Sequence, residues 1–147
     1  LYGVPNQNLK DIEKSLEEIL FFKGVNHISA YCLTLTEGNP HYKSLPRDKE
    51  AIDQIQFIEN RLSGNKFTRY EVSNFSKPGF EAEHNSSYWK NESYVGLGPG
   101  ASGYIQSLGS FGLRTRNLPS LERYLSELIE NKKLSFLLFF LSSPPIN

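Results

Sequence analysis

The stretch "HISAYCLTL", residues 27–35, decides the fold class because it reads as a buried strand between two amphipathic helices. Its β-branched and aromatic residues and its short length are typical of a strand covered on both faces. Before this stretch, five apolar residues recur at helical spacing: Leu9, Ile12, Leu16, Ile19 and Leu20. The same spacing follows it in a second set: Ala51, Ile55, Ile58 and Leu62. We therefore expect a helix, a strand and a helix in succession.

Further strands flank this unit on both sides. "LYGVP", residues 1–5, reads as the end of a strand, and "FTRYEVSNF", residues 67–75, as another strand. Alternation of strands and helices indicates an α/β fold with a parallel sheet and covering helices. The pattern then breaks into a long irregular stretch up to about Pro119, which we expect to be functional. A last amphipathic helix follows it.

The composition limits the function classes. The chain has 147 residues with 16 basic and 16 acidic side chains, and this balance argues against a nucleic-acid-binding surface. Its one cysteine, Cys32, cannot by itself hold a cysteine-ligated zinc or iron–sulfur site, and its place in a predicted strand favours a small buried residue. The apolar run at residues 134–141 is too short to span a membrane. Because the chain begins at Leu1 and ends in an unusual Pro-containing tail, we expect a fragment with an abnormal end.

The loops that follow the predicted strands are candidates for a ligand site. They read "YGVPNQ", "LTLTEGNP" and "YEVSNFSKPG", and the ligands of α/β sheets bind at the carboxyl ends of the strands. The chain continues from the third loop to "VGLGPGAS", residues 95–102, where Gly96, Gly98 and Gly100 supply bare backbone. Such a run indicates a sharp turn, a ligand that approaches the main chain closely, or both.

The segment "HNSSYW", residues 84–89, is a second candidate. His84 could ligate a metal or haem iron, and Tyr88 and Trp89 would supply a flat apolar wall. The alternative is that His84 is a surface residue and that the two aromatic residues only anchor the loop. Glu71 is open to several interpretations as well: a carboxylate that holds a ligand amine or ribose hydroxyl, a partner of Arg69, or a charge that faces the solvent.

Four stretches together carry a family resemblance: "YGVPNQNLKDIEKSLEEIL", "HISAYCLTLTEGNP", "YEVSNFSKPGFEAEHNSSYWKNESYVGLGPGASGY" and "RTRNLPSLERYL". In this order they resemble the oxygen-independent coproporphyrinogen III oxidase-like radical SAM proteins, over about residues 1–131. "HNSSYW" makes the chain most similar to the haem-chaperone branch of that family, HemW.

The resemblance implies a fold, a division into domains and two cofactors. The fold is the later portion of a partial (β/α)6 TIM-like radical SAM barrel, incomplete at the N-terminus. Residues 1–118 would form the later half of the barrel with the following loop region, 119–133 the helix that starts a C-terminal region, and 134–147 an atypical tail. In the family, a C-x3-C-x2-C motif holds a [4Fe–4S] cluster to which S-adenosylmethionine binds. This chain does not contain that motif.

The family's motifs also imply which residues bind these ligands. On the S-adenosylmethionine side they imply four positions: Thr34, Gly98, Gly100 and Ser102. For haem they imply His84, as a ligand of the iron, together with Tyr88 and Trp89. They imply no catalytic residue in this chain.

The function expected from the resemblance is that of a HemW-like protein that binds haem and delivers it to target proteins. One alternative is an oxygen-independent coproporphyrinogen III oxidase, which carries out a radical oxidative decarboxylation in porphyrin biosynthesis. A second alternative is an inactive truncated product. The expected partners are haem or a porphyrin and the proteins that receive haem, without nucleic acid or an integral membrane segment. The expected location is the cytoplasm, or a mitochondrion or plastid in a eukaryote.

Overall fold

A computed structural model describes residues 1–131 and 136–140 of the chain, which divides into two compact units between Ala82 and Glu83. The first unit contains two helices and three strands: α1 (Leu9–Phe21), β1 (His27–Ser29), α2 (Asp48–Ser63), β2 (Thr68–Arg69) and β3 (Asn74–Ser76). A short 3-10 helix, Tyr42–Ser44, precedes α2. The described residues of the second unit form two helices and three strands: α3 (Glu83–Trp89), β4 (Ser102–Ile105), β5 (Leu113–Asn117), α4 (Leu121–Asn131) and β6 (Phe136–Phe140).

Helix α1 begins where the sequence predicts it. The Asn8 side-chain oxygen accepts hydrogen bonds from the backbone amides of Lys10, at 2.8 Å, and Asp11, at 3.3 Å. The Asp11 carboxylate accepts in return from the Asn8 amide at 2.9 Å. This capping box satisfies amides that the first helical turn leaves without partners. The second predicted helix is also confirmed, although α2 begins at Asp48 rather than at Ala51.

The core of the first unit lies between the two helices and the sheet. The buried apolar residues come from both helices, from β1 and β3 and from the segments beside the strands: Ile12, Leu16, Ile28, Ala30, Ile58, Leu62, Phe67 and Phe75. Because apolar surface removed from water is the main favourable contribution to folding, this cluster holds the unit together.

The sheet of the first unit has the strand order β1-β3-β2, and both pairings are antiparallel. The parallel pairing expected from the sequence is therefore wrong for these strands. Because β3 lies between them, β1 and β2 run in the same direction without pairing. Within the described residues, parallel pairing is limited to a single bridge between Tyr2 and Cys32.

A turn explains why the segment predicted as one strand at residues 67–75 forms two. Arg69 donates from Nε to the carbonyl of Glu71 at 3.3 Å and to that of Val72 at 3.1 Å. The Glu71 carboxylate accepts from the Ser73 amide at 2.8 Å. These bonds satisfy the main chain inside the segment, so the chain reverses and β3 returns beside β2. The strand predicted at residues 27–35 is likewise shorter, since β1 ends at Ser29.

The second unit contains an antiparallel sheet in the order β4-β5-β6. The irregular stretch predicted after Phe75 is therefore wrong, because it holds α3 and the β4–β5 hairpin. Strand β5 buries alternate residues, Leu113, Thr115 and Asn117. Two of these three are polar, so the alternation of apolar residues that marks a strand is hidden. The last predicted helix is confirmed as α4.

The predicted tail at residues 134–147 is described only at β6. This strand pairs with β5 from Phe136 opposite Asn117 to Phe140 opposite Leu113, and the rest of the predicted tail lies outside the described residues. The domain boundaries expected near residues 118 and 133 stay predictions. Over the part of the chain that the structure describes, no helix is both long and apolar enough to cross a membrane.

Candidate functional site

The segment "HNSSYW" forms most of the short helix α3. Residues four apart share one face of a helix, so His84 and Tyr88 are neighbours on α3. Their rings meet edge to face, with centroids 4.8 Å apart and an interplanar angle of 81°. Both side chains are exposed, and the Tyr88 side chain retains 42% of its accessible surface. The His84 imidazole is therefore accessible and held beside an aromatic ring.

The Tyr88 ring begins a row of three tyrosines, which we call the tyrosine row: Tyr88, Tyr94 and Tyr104. The rings of Tyr88 and Tyr94 meet edge to face at 4.5 Å, and those of Tyr94 and Tyr104 lie 6.4 Å apart at 38°. Tyr94 is held beside β4 because its amide and carbonyl both pair with those of Tyr104, at 2.8 Å each. The sequence analysis missed Tyr94 and Tyr104, since both lie in the stretch predicted to be irregular.

Arg114 on β5 lies beside Tyr94 and Tyr104, at the opposite end of the tyrosine row from His84. Its guanidinium carbon lies 5.3 Å from the centre of the Tyr104 ring, and its Nη1 donates to the Tyr94 hydroxyl at 3.3 Å. A guanidinium above an aromatic face is attracted by the negative potential of the ring. The sequence analysis did not single out Arg114, which it quoted only within the family stretch "RTRNLPSLERYL".

A concave pocket of about 230 Å³ opens beside this row. Its lining residues come from α3, the following turn, β4 and β5: Tyr88, Trp89, Asn91, Tyr94, Tyr104 and Arg114. This volume is below the roughly 300–1,000 Å³ of ordinary ligand pockets, so the pocket suits part of a flat molecule rather than a whole enclosed ligand. Aromatic rings with one cation suit a planar apolar ligand that carries a negative charge.

The glycine run forms a tight loop that precedes β4. Gly98 and Gly100 have φ values of +95° and +71°, in the left-handed region that favours glycine. At Gly96 a Cβ atom would lie 2.5 Å from the carbonyl oxygen of Ser102, which leaves no room for a side chain. The close approach expected at this run is therefore made by the protein's own main chain. Ser102 begins β4 and is exposed.

The side chain of Asn117, at the end of β5, stabilises this loop by hydrogen bonds. Its side-chain amide donates to the carbonyls of Gly96, at 3.0 Å, and Gly98, at 2.8 Å. Asn117 is only 1% exposed, and its own amide donates to Ala101 at 2.8 Å. A buried asparagine satisfied in this way holds the glycine loop in one conformation. The sequence analysis did not identify it.

Thr34 lies in the first unit and is exposed, in the segment that follows the bridge between Tyr2 and Cys32. Cys32 is exposed too, so the prediction of a small buried residue is wrong. The reason is that β1 ends at Ser29, which leaves Cys32 outside the sheet. The pKa of Tyr2 is raised above its ordinary value, mainly by burial and to a smaller extent by the neighbouring Cys32.

The residues of this chain do not fit a [4Fe–4S] cluster of the kind held by three thiolates. The chain contains one cysteine. Nor do the described residues include a group of three or more histidine, cysteine, aspartate or glutamate side chains placed to hold a metal ion. A haem iron needs only one protein ligand on its proximal side, so a single accessible histidine is compatible with haem.

The fold of the chain is similar to part of a radical SAM barrel. It matches the structure of coproporphyrinogen III oxidase (HemN) from Escherichia coli, a radical SAM enzyme, with a TM-score of 0.68 and 14% identity, over 93% of this chain and 34% of that one. The predicted fold class, a portion of that barrel, is thereby confirmed. No protein-family model matches the chain.

Curated relatives identify the branch. The chain is 33% identical to the haem chaperone HemW of Lactococcus lactis over 92% of its own length and 36% of the relative. It is 31% identical to HemW of Bacillus subtilis over 88% of its own length and 35% of the relative. It is also 34% identical to a mitochondrial radical S-adenosyl methionine domain-containing protein of Danio rerio, over 78% and 27% of the two lengths. The predicted resemblance to the HemW branch is confirmed, and the chain spans about a third of these relatives.

Proposed function

We propose that this chain carries a haem-binding region of a HemW-like haem chaperone, with His84 as the protein ligand of the iron. The observation that carries the proposal is the contact of His84 with the tyrosine row, at 4.8 Å between the His84 and Tyr88 rings. It combines a nitrogen ligand with flat apolar surface, which are the two features that haem binding needs. The names of the curated relatives support the same function.

His84 is suited to this role by its exposure and by its neighbour. Neutral imidazole is a common ligand of haem iron, and an exposed ring lets a bulky porphyrin approach. The edge contact with Tyr88 limits the rotation of the imidazole, so less side-chain entropy is lost when iron binds. Trp89 is 60% exposed and lines the same pocket as Tyr88, where it offers a second aromatic surface to the porphyrin.

Transfer rather than turnover is the proposed activity. A chaperone must bind its cargo reversibly, and an open pocket that covers only part of the ligand allows release to a receiving protein. The oxidase alternative is less supported, because the similar proteins of Lactococcus lactis and Bacillus subtilis are named haem chaperones. We keep haem-receiving proteins as the proposed partners and the cytoplasm, or a mitochondrion or plastid in a eukaryote, as the proposed location.

S-adenosylmethionine and the cluster are proposed only for a longer protein that carries the cluster cysteines. On the cofactor side we propose Thr34, Gly98, Gly100 and Ser102, of which Thr34 and Ser102 are exposed. Two of them, Gly98 and Gly100, also have a structural role in the loop that Asn117 fastens.

A haemin titration tests the proposal. The Soret band of haemin is followed as the protein is added, first with the parent chain and then with His84→Ala. We expect binding by the parent, and for His84→Ala a loss of the shifted Soret band and about tenfold or weaker affinity, because the iron loses its ligand. His41→Ala is the matched control, since His41 is an exposed histidine in a turn of the other unit.

Two outcomes would contradict this function. Equal haemin affinity of the parent and His84→Ala would exclude His84 as the iron ligand, and no saturable binding by the parent would exclude a haem-binding region. The oxidase alternative is tested separately, in a longer protein that carries the cluster cysteines, by assaying coproporphyrinogen for conversion to protoporphyrinogen. Turnover there would argue against a chaperone alone, whereas neither binding nor turnover would favour the inactive product.

A further inference from the structure

The described residues that line the pocket beside the tyrosine row include one cation, Arg114, and no carboxylate. Arg114 lines the pocket together with tyrosine, tryptophan and asparagine side chains. Within residues 1–131 and 136–140, the ion pairs of arginine involve Arg61 and Arg69, and Arg114 takes part in none of them. The charge of Arg114 is therefore available to an anion from outside the protein.

The guanidinium of Arg114 is also held in place before any ligand binds. Its Nη1 donates to the Tyr94 hydroxyl, and its carbon lies over the ring of Tyr104 at 5.3 Å. The Tyr104 ring is itself fixed, since the residue is buried and its hydroxyl donates to the Phe111 carbonyl at 3.1 Å. Gly112 packs so closely on this ring that a Cβ atom there would clash with the Tyr104 hydroxyl.

The remaining donors of Arg114 have the geometry that a carboxylate needs. A guanidinium carries five N–H donors in a planar fork, and the bond to Tyr94 uses one of them. A fork whose orientation is already set loses little entropy when it binds a carboxylate with two parallel hydrogen bonds. Tyr88 and Trp89 supply apolar ring surface in the same pocket.

We propose that Arg114 binds a propionate carboxylate of the tetrapyrrole while the edge of the macrocycle packs on Tyr88 and Trp89. The inference rests on the proposed function and adds to it the group that orients the ligand. Haem matches both halves of the pocket, because it is a flat apolar ring with two carboxylates on one edge. Its orientation would then be set at two points, by His84 at the iron and by Arg114 at the propionate.

The test compares haemin with its dimethyl ester, which has the same ring and iron but no carboxylate. We expect Arg114→Gln to weaken haemin binding about 3- to 10-fold, as for a partly exposed ion pair with hydrogen bonds, and to leave binding of the ester unchanged. Arg114→Lys, which keeps the charge but not the fork, should fall between the parent and Arg114→Gln. The Soret shift of all these proteins should remain that of a histidine ligand.

Arg116→Gln is the matched control. Arg116 is an exposed arginine on the same strand and the same face, two residues from Arg114, and it does not line the pocket. Equal losses in the two glutamine variants would mean general attraction of an anion and would overturn the inference. So would an equal loss of ester binding in Arg114→Gln. In both cases His84-dependent binding of haemin would still support the proposed function, whereas no binding by the parent would contradict that function itself.

Discussion

The two compact units of this chain are stabilised in different ways. In the first unit, two capped helices bury an apolar cluster against a three-stranded sheet, with Leu62 and Phe75 fully buried. In the second, the β4–β5 hairpin buries Thr115 and Asn117 beside Leu113, and its preceding loop depends on glycine conformations. Apolar burial is non-directional, whereas hydrogen bonds and left-handed glycines each specify one geometry.

Because of this difference, the residues of the apolar core and the residues of the candidate haem site are different sets in different units. His84, the tyrosine row and Arg114 all belong to the second unit, where exposed aromatic rings line an open pocket. Residues that bind a ligand have to stay accessible, so they cannot also form a dry core. We expect substitutions in the first unit to act mainly on folding, and substitutions around the pocket to act mainly on binding.

The largest loss of stability is expected for Phe75→Ala. Phe75 has no exposed surface and belongs to the core cluster, and truncating a buried phenylalanine costs about 3–5 kcal/mol. Urea unfolding followed by circular dichroism measures the loss, and hydrogen exchange of residues 1–82 locates it. Phe21→Ala is the control, because Phe21 is 83% exposed and should change stability little. A loss of less than about 1 kcal/mol in the free energy of unfolding for Phe75→Ala would contradict the assignment of Phe75 to the core.

Asn117→Ala is expected to have an intermediate effect in the second unit. It leaves the carbonyls of Gly96 and Gly98 without their side-chain donor, and a buried unsatisfied group costs about 1–3 kcal/mol. Hydrogen exchange of the glycine loop should speed up, and the unfolding midpoint should fall. Arg116→Ala, at the exposed neighbouring position, serves as the control. If both variants behave alike, the loop does not depend on the Asn117 amide.

The smallest effect, expected for Tyr2, depends on pH. Burial raises the pKa of Tyr2 above its ordinary value, so the folded state keeps the phenol proton more tightly than the unfolded state does. This contribution to stability is complete below about pH 10 and is lost as the pH rises through the folded pKa. Unfolding in urea at about pH 8 and about pH 11 should show a loss that Tyr2→Phe reduces.

Tyr31→Phe supplies the comparison for that experiment. Tyr31 is 51% exposed and lies on the neighbouring segment, where its carbonyl accepts from the Tyr2 amide. If Tyr31→Phe reduces the alkaline loss as much as Tyr2→Phe does, the burial of Tyr2 is not its cause.

The sequence was sufficient for helices α1, α2 and α4 and for the family resemblance. Helices α1 and α2 follow from apolar residues at helical spacing, and the capping box at Asn8 follows from residues three apart. Such signals are local, because the hydrogen bonds of a helix join residues close in sequence. The motifs "HNSSYW" and "GLGPGA" can likewise be recognised from the order of their residues alone.

The strand pairings could not be read in the same way. The turn at Glu71–Ser73 depends on bonds from Arg69, and without it "FTRYEVSNF" has the composition of a single strand. The β5 strand was hidden because the residues it buries include Thr115 and Asn117. Pairing is a contact between segments distant in sequence, so local composition specifies it weakly.

The sequence by itself determined helices α1, α2 and α4, the glycine loop and the place of His84, Tyr88 and Trp89 in one short motif. Only the tertiary structure decided that Tyr94, Tyr104 and Arg114 join Tyr88 at one pocket. The physical reason is that β4, β5 and the turn after α3 come together through cross-strand hydrogen bonds, such as those between Tyr94 and Tyr104. No residue type or spacing along the chain predicts that these segments come together, because their contact depends on which strands pair and in which register.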